Sequence, residues 1–411
     1  MAAIDRKLFL DILGFDSTSG AEKPLADYLE KALAGPVSGG VAGSAAGRRS
    51  GSGASVDSGD SAGSGSAVSP RVQSWDVPEG GRNLLFSWGE PRVVFCTHMD
   101  TVPPYIPPTL AGAANDSSVS EPTCPVKNGQ KCKTPPAFWE GGLSKSAENA
   151  RASIVYGRGA CDAKGQIVAL YAACRQLAAE GLDGFGLLLL SGEETGSWGA
   201  KAFAKTDFRA PYLIIGEPTE GKMVSACKGT KAFELVFHGE AFHSGYPQFG
   251  HSAIDSFVDF VNELRAVDFG SDPEFGPTTW NIGRLVSDNA QNVLSPELRC
   301  RLYFRTTFLS DARVEEEVRR IAGMVAATSG SSVEVVAIGG DTPSRWFTIP
   351  GFEAAPASFG SDAPHLTNFE HRAICGAGSI RFAHRPDEQV SLAELDEAAE
   401  RYVAMFKALQ K

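Results

Sequence analysis

Short, continuous apolar runs recur along the chain, and longer segments with helical periodicity lie between them. The runs include "RVVFC", "GLLLL", "YLII" and "RAIC". Such runs are typical of strands that are buried on both faces of a sheet. Segments such as "GQIVALYAACRQLAAEGL" predict helices. Their alternation predicts an α/β fold in which helices cover both faces of a mainly parallel sheet.

A different order of elements is predicted for residues 223–338. A long strand, a helix at "HSAIDSFVDFVNELRAV", two strands, a second helix and a last strand follow one another. This is the order of a ferredoxin-like α+β domain. We therefore expect residues 1–222 and 339–411 to form one discontinuous domain, into which residues 223–338 are inserted.

Two stretches show neither the apolar runs of strands nor the periodicity of helices. Residues 35–70 are mainly Gly, Ser, Ala and Val, which offer too little apolar surface to offset the entropy lost on ordering. We expect a flexible insertion there. Residues 104–150 contain several prolines and are expected to be an irregular surface insertion. Cys124 and Cys132 lie in this second insertion, and the sequence leaves open whether they pair.

Charge and composition exclude several classes of protein. The net charge of −11 argues against binding to nucleic acid or to an anionic membrane surface. No apolar run approaches the ~20 residues of a membrane span, and the first residues lack the apolar core of a secretory signal. The eight cysteines are scattered along the chain. We expect a reduced, cytoplasmic protein.

Acidic and histidine side chains follow the predicted strands. The i, i+2 spacing of His98 and Asp100 places both on one face, where Asp100 can orient the imidazole of a metal ligand. Glu193 and Glu194 follow the four leucines, and a divalent cation would remove the repulsion between them. Two imidazoles and three carboxylates would suit two zinc-like ions that share one carboxylate; they belong to His98, Asp162, Glu194, Glu217 and His384.

Six stretches, in order along the chain, resemble a family of dinuclear zinc amidohydrolases. This family includes acetylornithine deacetylase, succinyl-diaminopimelate desuccinylase, aminoacylase and related carboxypeptidases. The stretches are "THMDTVP", "YGRGACDAKGQ", "SGEETGSWGA", "IGEPT", "FHSGYP" and "AHRPDE". The resemblance implies that the five residues above bind two divalent ions, zinc or alternatively cobalt or manganese, with Asp162 bridging them. It also implies that Glu193 is the general base and acid.

Further roles are implied by the same resemblance. His243, in the inserted domain, would reach across a homodimer interface and stabilise the oxyanion in the neighbouring subunit. Asn292 and Arg305 would hold the substrate carboxylate. Glu217, where related aminopeptidases often carry Asp, favours a deacylase or a carboxypeptidase.

The C-terminal stretch "CGAGSIRFAHRPDEQVS" looks more like acetylornithine deacetylase than like the desuccinylase. We therefore expect a small-molecule N-acyl amino acid substrate from arginine biosynthesis, N-acetylornithine or N-acetylcitrulline. Desuccinylation and cleavage by a carboxypeptidase or dipeptidase stay open. A non-catalytic binding protein on this fold would be expected to have lost some site residues, and all are present.

Two rival enzyme classes are disfavoured. The serine-hydrolase motif "GDSAG" at residues 59–63 lies in the Gly/Ser-rich stretch, without the strand and helix that a nucleophile elbow needs. "YGRGACDAKG" lacks the third glycine and the strand–turn–helix frame of a dinucleotide-binding loop.

Overall fold

A computed structural model describes residues 3–36, 69–110 and 153–410 of the chain. The helices in these ranges are α1 (Arg6–Leu13), α2 (Lys23–Leu33), α3 (Lys164–Ala179), α4 (Trp198–Phe203), α5 (Ala253–Ala266), α6 (Asp311–Ser329) and α7 (Leu392–Leu409). The strands are β1 (Arg71–Asp76), β2 (Arg82–Trp88), β3 (Val93–His98), β4 (Thr109–Leu110), β5 (Ile154–Tyr156), β6 (Phe185–Leu190), β7 (Ala210–Ile215), β8 (Met223–Cys227), β9 (Gly229–His238), β10 (Ser271–Asp272), β11 (Gly276–Pro277), β12 (Thr279–Val286), β13 (Glu297–Thr306), β14 (Ser332–Gly339), β15 (Ser344–Arg345), β16 (Ala354–Ala357), β17 (Phe369–Ile374) and β18 (Gln389–Ser391). None of the helices in the described ranges has the length and apolar character that a membrane span requires.

The chain forms two compact units. The first comprises Met1–Lys222 and His365–Lys411, and the second comprises Met223–Pro364. The second unit therefore extends to Pro364 and not, as expected, to residue 338. The reason is that β15 and β16 both pair with β8, which keeps residues 344–357 in the second unit.

A six-stranded sheet runs through the first unit in the order β1-β2-β6-β3-β7-β17. Strands β6, β3, β7 and β17 are parallel, whereas β1 and β2 form an antiparallel edge. Both β3 and β6 are buried along their whole length, as their apolar runs predict. The predicted mainly parallel α/β fold is confirmed.

The last helix closes the core of the first unit. The Ser391 hydroxyl and the Glu394 carboxylate form a capping box at the start of α7, which satisfies N–H groups that lack a partner within the helix. The helix packs against α3. Its Tyr402 and Phe406 rings lie 5.9 and 5.6 Å from Phe95 and Phe185 of the sheet. The C-terminal helix is therefore an integral part of this core.

A small antiparallel sheet, in the order β18-β5-β4, gathers three distant segments of the first unit. Because β4 includes Thr109 and Leu110, the start of the expected irregular insertion is part of a sheet. The rest of that insertion, with Cys124 and Cys132, lies outside the described residues, as do residues 37–68 of the first insertion.

The second unit contains a four-stranded antiparallel sheet in the order β12-β13-β9-β14. Helices α5 and α6 pack on it over an apolar core that includes Phe237, Phe260 and Ile321. This is the predicted ferredoxin-like arrangement. The long strand expected over "KMVSACKGTKAFELVFHGEA", residues 222–241, is instead two strands, β8 and β9. A Cβ at Gly229 would lie 2.6 Å from the Asp341 carbonyl oxygen, so only glycine fits where β9 begins.

Candidate metal centre

His98 is the last residue of β3, at the carboxyl edge of the parallel strands, where ligands gather in such sheets. Its ring is buried, and Nδ1–H donates to the Asp100 carbonyl oxygen at 3.0 Å. The Asp100 carboxylate lies 3.3 Å from the same nitrogen. These contacts orient the ring so that Nε2, 3.1 Å from Asp162 Oδ1, faces the site as a potential ligand.

Asp162 lies between two imidazoles. Its Oδ1 faces His98, and its Oδ2 lies 3.4 Å from His384 Nε2. Its backbone N–H and that of Cys161 each donate to Glu388 Oε1 at 3.1 Å. The backbone of Asp162 is thus held by Glu388, which lies in the segment that follows His384.

Glu193 and Glu194 lie in the loop that follows β6. Their backbone N–H groups donate to the two carboxylate oxygens of Asp100, at 2.9 and 3.1 Å. The preceding N–H, of Gly192, donates to the buried Glu22 at 3.1 Å. Two carboxylates from other segments therefore hold three consecutive backbone groups of this loop.

Glu217 and His384 approach from two further segments. Glu217 follows β7 and is only 4% exposed. The His384 side chain is 50% exposed, and its backbone adopts the left-handed conformation with φ of 63°. Its Nε2 lies 3.0 Å from Glu194 Oε1.

The potential ligand atoms form two groups that share Asp162. Group A contains His98, Asp162 and Glu217, and group B contains Asp162, Glu194 and His384. Within each group, one ligand atom of each residue lies within 4.8 Å of the others. One imidazole and two carboxylates in each group are donors that suit a borderline divalent cation such as zinc. The donor set therefore fits a metal ion in each group.

The protonation of these residues reflects a strongly negative site. Burial lowers the pKa of His98, but hydrogen bonds with Asp100 and Asp162 outweigh burial and raise that pKa well above its usual value. Asp162 and then Glu194 raise the pKa of His384 to about 10. Burial raises the pKa of Asp162, but the two imidazoles lower it overall. Because a ligand imidazole must be neutral, metal binding at these groups would release protons.

The remaining predicted residues lie in the second unit. The Ser244 N–H donates to the Asn292 carbonyl oxygen at 2.9 Å, and His243 bridges to Val293. His243 and Asn292 therefore lie on adjacent segments, and both are exposed. Arg305, on β13, places its guanidinium 5.2 Å from the Tyr303 ring centroid. Their proposed roles toward a substrate stay predictions.

Comparison with known proteins identifies the family. The sequence profile of peptidase family M20/M25/M40 matches residues 139–408. A probable carboxypeptidase of Aspergillus fumigatus is 31% identical over 340 residues, which cover 77% of this chain and 70% of the relative. The chain belongs to the peptidase M20 family. A probable carboxypeptidase of Aspergillus oryzae is 32% identical over 77% of this chain and 72% of its own. As an M20 protein, the chain is a hydrolase that acts on amide or peptide bonds.

Solved structures share the M20 fold at low sequence identity. A tripeptidase from Staphylococcus aureus aligns with a TM-score of 0.67 at 16% identity, over 99% of this chain and 100% of its own. An M20 metallo-carboxypeptidase from Sulfolobus solfataricus aligns with a TM-score of 0.61 at 14% identity, over 98% and 99% of the two chains. At these identities the likeness shows the fold alone.

Several supporting residues were not singled out in the sequence. Glu22 and Ser19 come from the N-terminal segment, and the Ser19 hydroxyl donates to Asp100 at 2.7 Å. Arg158 and Glu388 form a buried ion pair beneath Asp162. Both members of this pair lie inside quoted motifs, but no spacing rule links residues 230 positions apart.

Proposed function

We propose that this M20 protein is a two-metal amidohydrolase whose leaving group is an amino acid with a free carboxylate. The observation that carries this proposal is the sharing of Asp162 by two ligand groups. The charge of Glu193 contributes to the raised pKa of His98, which indicates that its carboxylate lies near the same site.

The metal ions would be held by the residues already grouped by distance. His98, Asp162 and Glu217 would hold one ion, and Asp162, Glu194 and His384 the other. Zinc fits the donors best, and cobalt or manganese would accept the same ligands. When bound, such ions polarise a carbonyl group and lower the pKa of a water molecule to about 7.

The chain's own residues would move the protons and hold the substrate. Glu193 would take a proton from the attacking water and deliver it to the departing amine, as a general base and then acid. The Asp100 carboxylate, which accepts the Glu193 N–H at 2.9 Å, would keep the loop of this base in place. We assign His243 to the oxyanion, and Asn292 and Arg305 to the substrate carboxylate.

The substrate we propose first is N-acetylornithine or N-acetylcitrulline. The support is the stretch "CGAGSIRFAHRPDEQVS", whose pattern resembles acetylornithine deacetylase. Both substrates present an acyl amide next to a free carboxylate, which is the chemistry that the assigned residues require. N-succinyl-diaminopimelate presents the same two features.

The second candidate function is carboxypeptidase or dipeptidase activity. It is favoured by the relatives, since the 31% identical protein of Aspergillus fumigatus is named a probable carboxypeptidase. A dipeptide also presents an amide nitrogen next to a free carboxylate. The two candidates therefore differ in the acyl side of the bond and not in the leaving group.

A rate panel on metal-reconstituted protein separates these functions. It compares N-acetylornithine, N-acetylcitrulline, N-succinyl-diaminopimelate, a free dipeptide and an N-blocked dipeptide, each with and without a chelator. Chelator-sensitive turnover of an acetylated amino acid supports the deacetylase, and preferred turnover of a dipeptide supports the peptidase. Turnover that persists after the metals are removed would contradict the two-metal mechanism for both.

A further inference from the structure

A buried ion pair lies where the small β18-β5-β4 sheet meets the metal centre. Arg158 Nη1 lies 2.6 Å from Glu388 Oε2, and the side chains are only 2% and 0% exposed. Burying two charges is costly unless each is paired and hydrogen-bonded. Even a well-paired buried ion pair is often no more stabilising than apolar side chains of similar volume, and the neighbours of this pair indicate a structural role.

The Arg158 guanidinium joins two loops besides its carboxylate partner. Its Nε donates to the Pro104 carbonyl oxygen at 3.2 Å, in the segment that follows His98 and Asp100. Its Nη1 also donates to the Arg385 carbonyl oxygen at 3.3 Å, one residue after His384. One side chain thus contacts the segments that carry both imidazoles.

The Glu388 carboxylate fixes the backbone between those segments. One oxygen accepts the charged bond from Arg158, and the other accepts the N–H groups of Cys161 and Asp162. The backbone of Asp162, whose carboxylate both ligand groups share, is therefore held by a residue four positions after His384.

The residues that distinguish the two groups are placed in different ways. Of the residues that belong to group A alone, His98 ends β3 and is 1% exposed, and Glu217 closely follows β7 and is 4% exposed. In group B, His384 lies on a loop with its side chain 50% exposed. Strands of the central sheet therefore place His98 and Glu217, whereas His384 lies on a loop and contacts Asp162 and Glu194.

We infer that Arg158 and Glu388 are positioning residues that set the spacing between Asp162 and His384 and so complete group B. This inference rests on the proposed two-metal function. Because Asp162 belongs to both groups, loss of the pair should affect both metal sites, but it should weaken group B much more, since the loop of His384 also loses its support.

The test is a zinc and cobalt titration of the full chain, followed by calorimetry and by the visible spectrum of bound cobalt. The variants are Glu388→Gln and Arg158→Lys. We expect two sites in the wild-type protein. In both variants, one site should be weakened by about 10–100-fold, as is typical when a residue supporting a ligand is lost, and the other by much less. Because one unpaired buried charge can prevent folding, a double variant with Gln at both positions supplies the same comparison without net charge.

Asp387→Asn is the matched control. Arg385 donates to Asp387 at 2.7 and 2.8 Å in the same segment, but that pair is more than half exposed. The control should keep both sites at wild-type affinity. Equal weakening of both sites, or two intact sites in every variant, would overturn the inference. A wild-type protein that binds fewer than two ions contradicts the proposed function itself, and the inference then falls with it.

Discussion

At the scale of single residues, Asp100 connects the strand that carries His98 to the loop that carries Glu193. Its carboxylate accepts the Ser19 hydroxyl at 2.7 Å and the N–H groups of Glu193 and Glu194 at 2.9 and 3.1 Å. It also contacts the His98 ring. Asp100 therefore has two structural roles. It orients the His98 imidazole, as predicted from the sequence, and it holds the loop that carries Glu193.

Asp100→Asn should impair both the orientation of His98 and the hold on the Glu193 loop. The amide nitrogen of Asn cannot accept the N–H or hydroxyl donors that now face the carboxylate, which leaves a buried donor unsatisfied at a cost of about 1–3 kcal/mol. We expect a comparable loss in the free energy of unfolding and about 10–100-fold weaker metal binding. Denaturant unfolding and metal titration measure the two effects. A variant with normal stability and normal affinity would contradict both assignments.

Replacement of the adjacent glutamates should have different consequences. Glu193→Gln should keep metal affinity and lose about 10²–10⁴-fold in kcat, the contribution of a general base. Glu194→Gln should instead weaken metal binding, since Glu194 belongs to a ligand group. Kinetics and metal titration on both variants provide the comparison, and the exposed Glu79→Gln serves as the control. Full activity of the Glu193 variant would rule out its role.

Glu22 should give stability a pH dependence. Burial raises its pKa from 4.5 to about 7 in the folded protein. An acid with a raised pKa favours unfolding once it ionises. This loss of stability is absent below about pH 4.5 and grows as the pH rises to about 7. Above that pH it stays at about 3 kcal/mol, because each unit of pKa shift corresponds to about 1.4 kcal/mol.

Urea unfolding of wild-type protein and Glu22→Gln from pH 4.5 to 8 measures this dependence. The stability of the wild-type protein relative to the variant should fall by about 3 kcal/mol across the range. The exposed Glu90→Gln should run parallel to the wild type. If the free energy of unfolding of Glu22→Gln also followed the wild type across this pH range, the N–H donors of Gly20 and Gly192 would offset the effect of burial.

At the scale of elements, the sequence predicts best those features that are local along the chain. The apolar runs of β3 and β7 are visible, and His98 and Glu217 lie at or just after their ends. The two-residue strand β15 and the Ala-rich β16 carry no such pattern. Their pairing with β8 depends on tertiary contacts, so the boundary near residue 339 could not be placed correctly.

The supporting contacts of the site could not be predicted for a related reason. Ser19 and Asp100 are 81 residues apart, and Arg158 and Glu388 are 230 apart. No periodicity or spacing within one segment connects such residues, whereas the ligands could be recognised from the short motifs that contain them.

The C-terminal helix α7 should be essential for the stability of the first unit. Phe406→Ala removes a buried ring that packs edge-on against Phe185 at 5.6 Å, and such a change typically costs about 3–5 kcal/mol. The neighbouring Lys407→Ala removes a partly exposed ion pair with Glu180 and should cost about 1 kcal/mol or less. Denaturant unfolding measures both. Equal losses would show that α7 contributes no specific packing.

At the scale of the whole molecule, the proposed homodimer makes a quantitative prediction. Glu193→Gln and His243→Ala should each be nearly inactive alone. If His243 acts in the neighbouring subunit, a mixed dimer contains one site with both an intact Glu193 and an intact partner His243. Random exchange of equal amounts makes half of the dimers mixed, so roughly a quarter of wild-type activity should return. Continued inactivity after verified exchange would place His243 in its own subunit's site or outside any site.

The insertion of the second unit within the first fixes the order in which the potential metal ligands emerge during translation. His98, Asp162 and Glu217 all precede residue 223, whereas His384 follows Pro364. The core of the first unit also needs β17 and α7, which are made after the second unit. A nascent chain would thus carry every residue of group A before the second unit is made, and group B only after it. Hydrolytic activity would be withheld until the second unit has been synthesised.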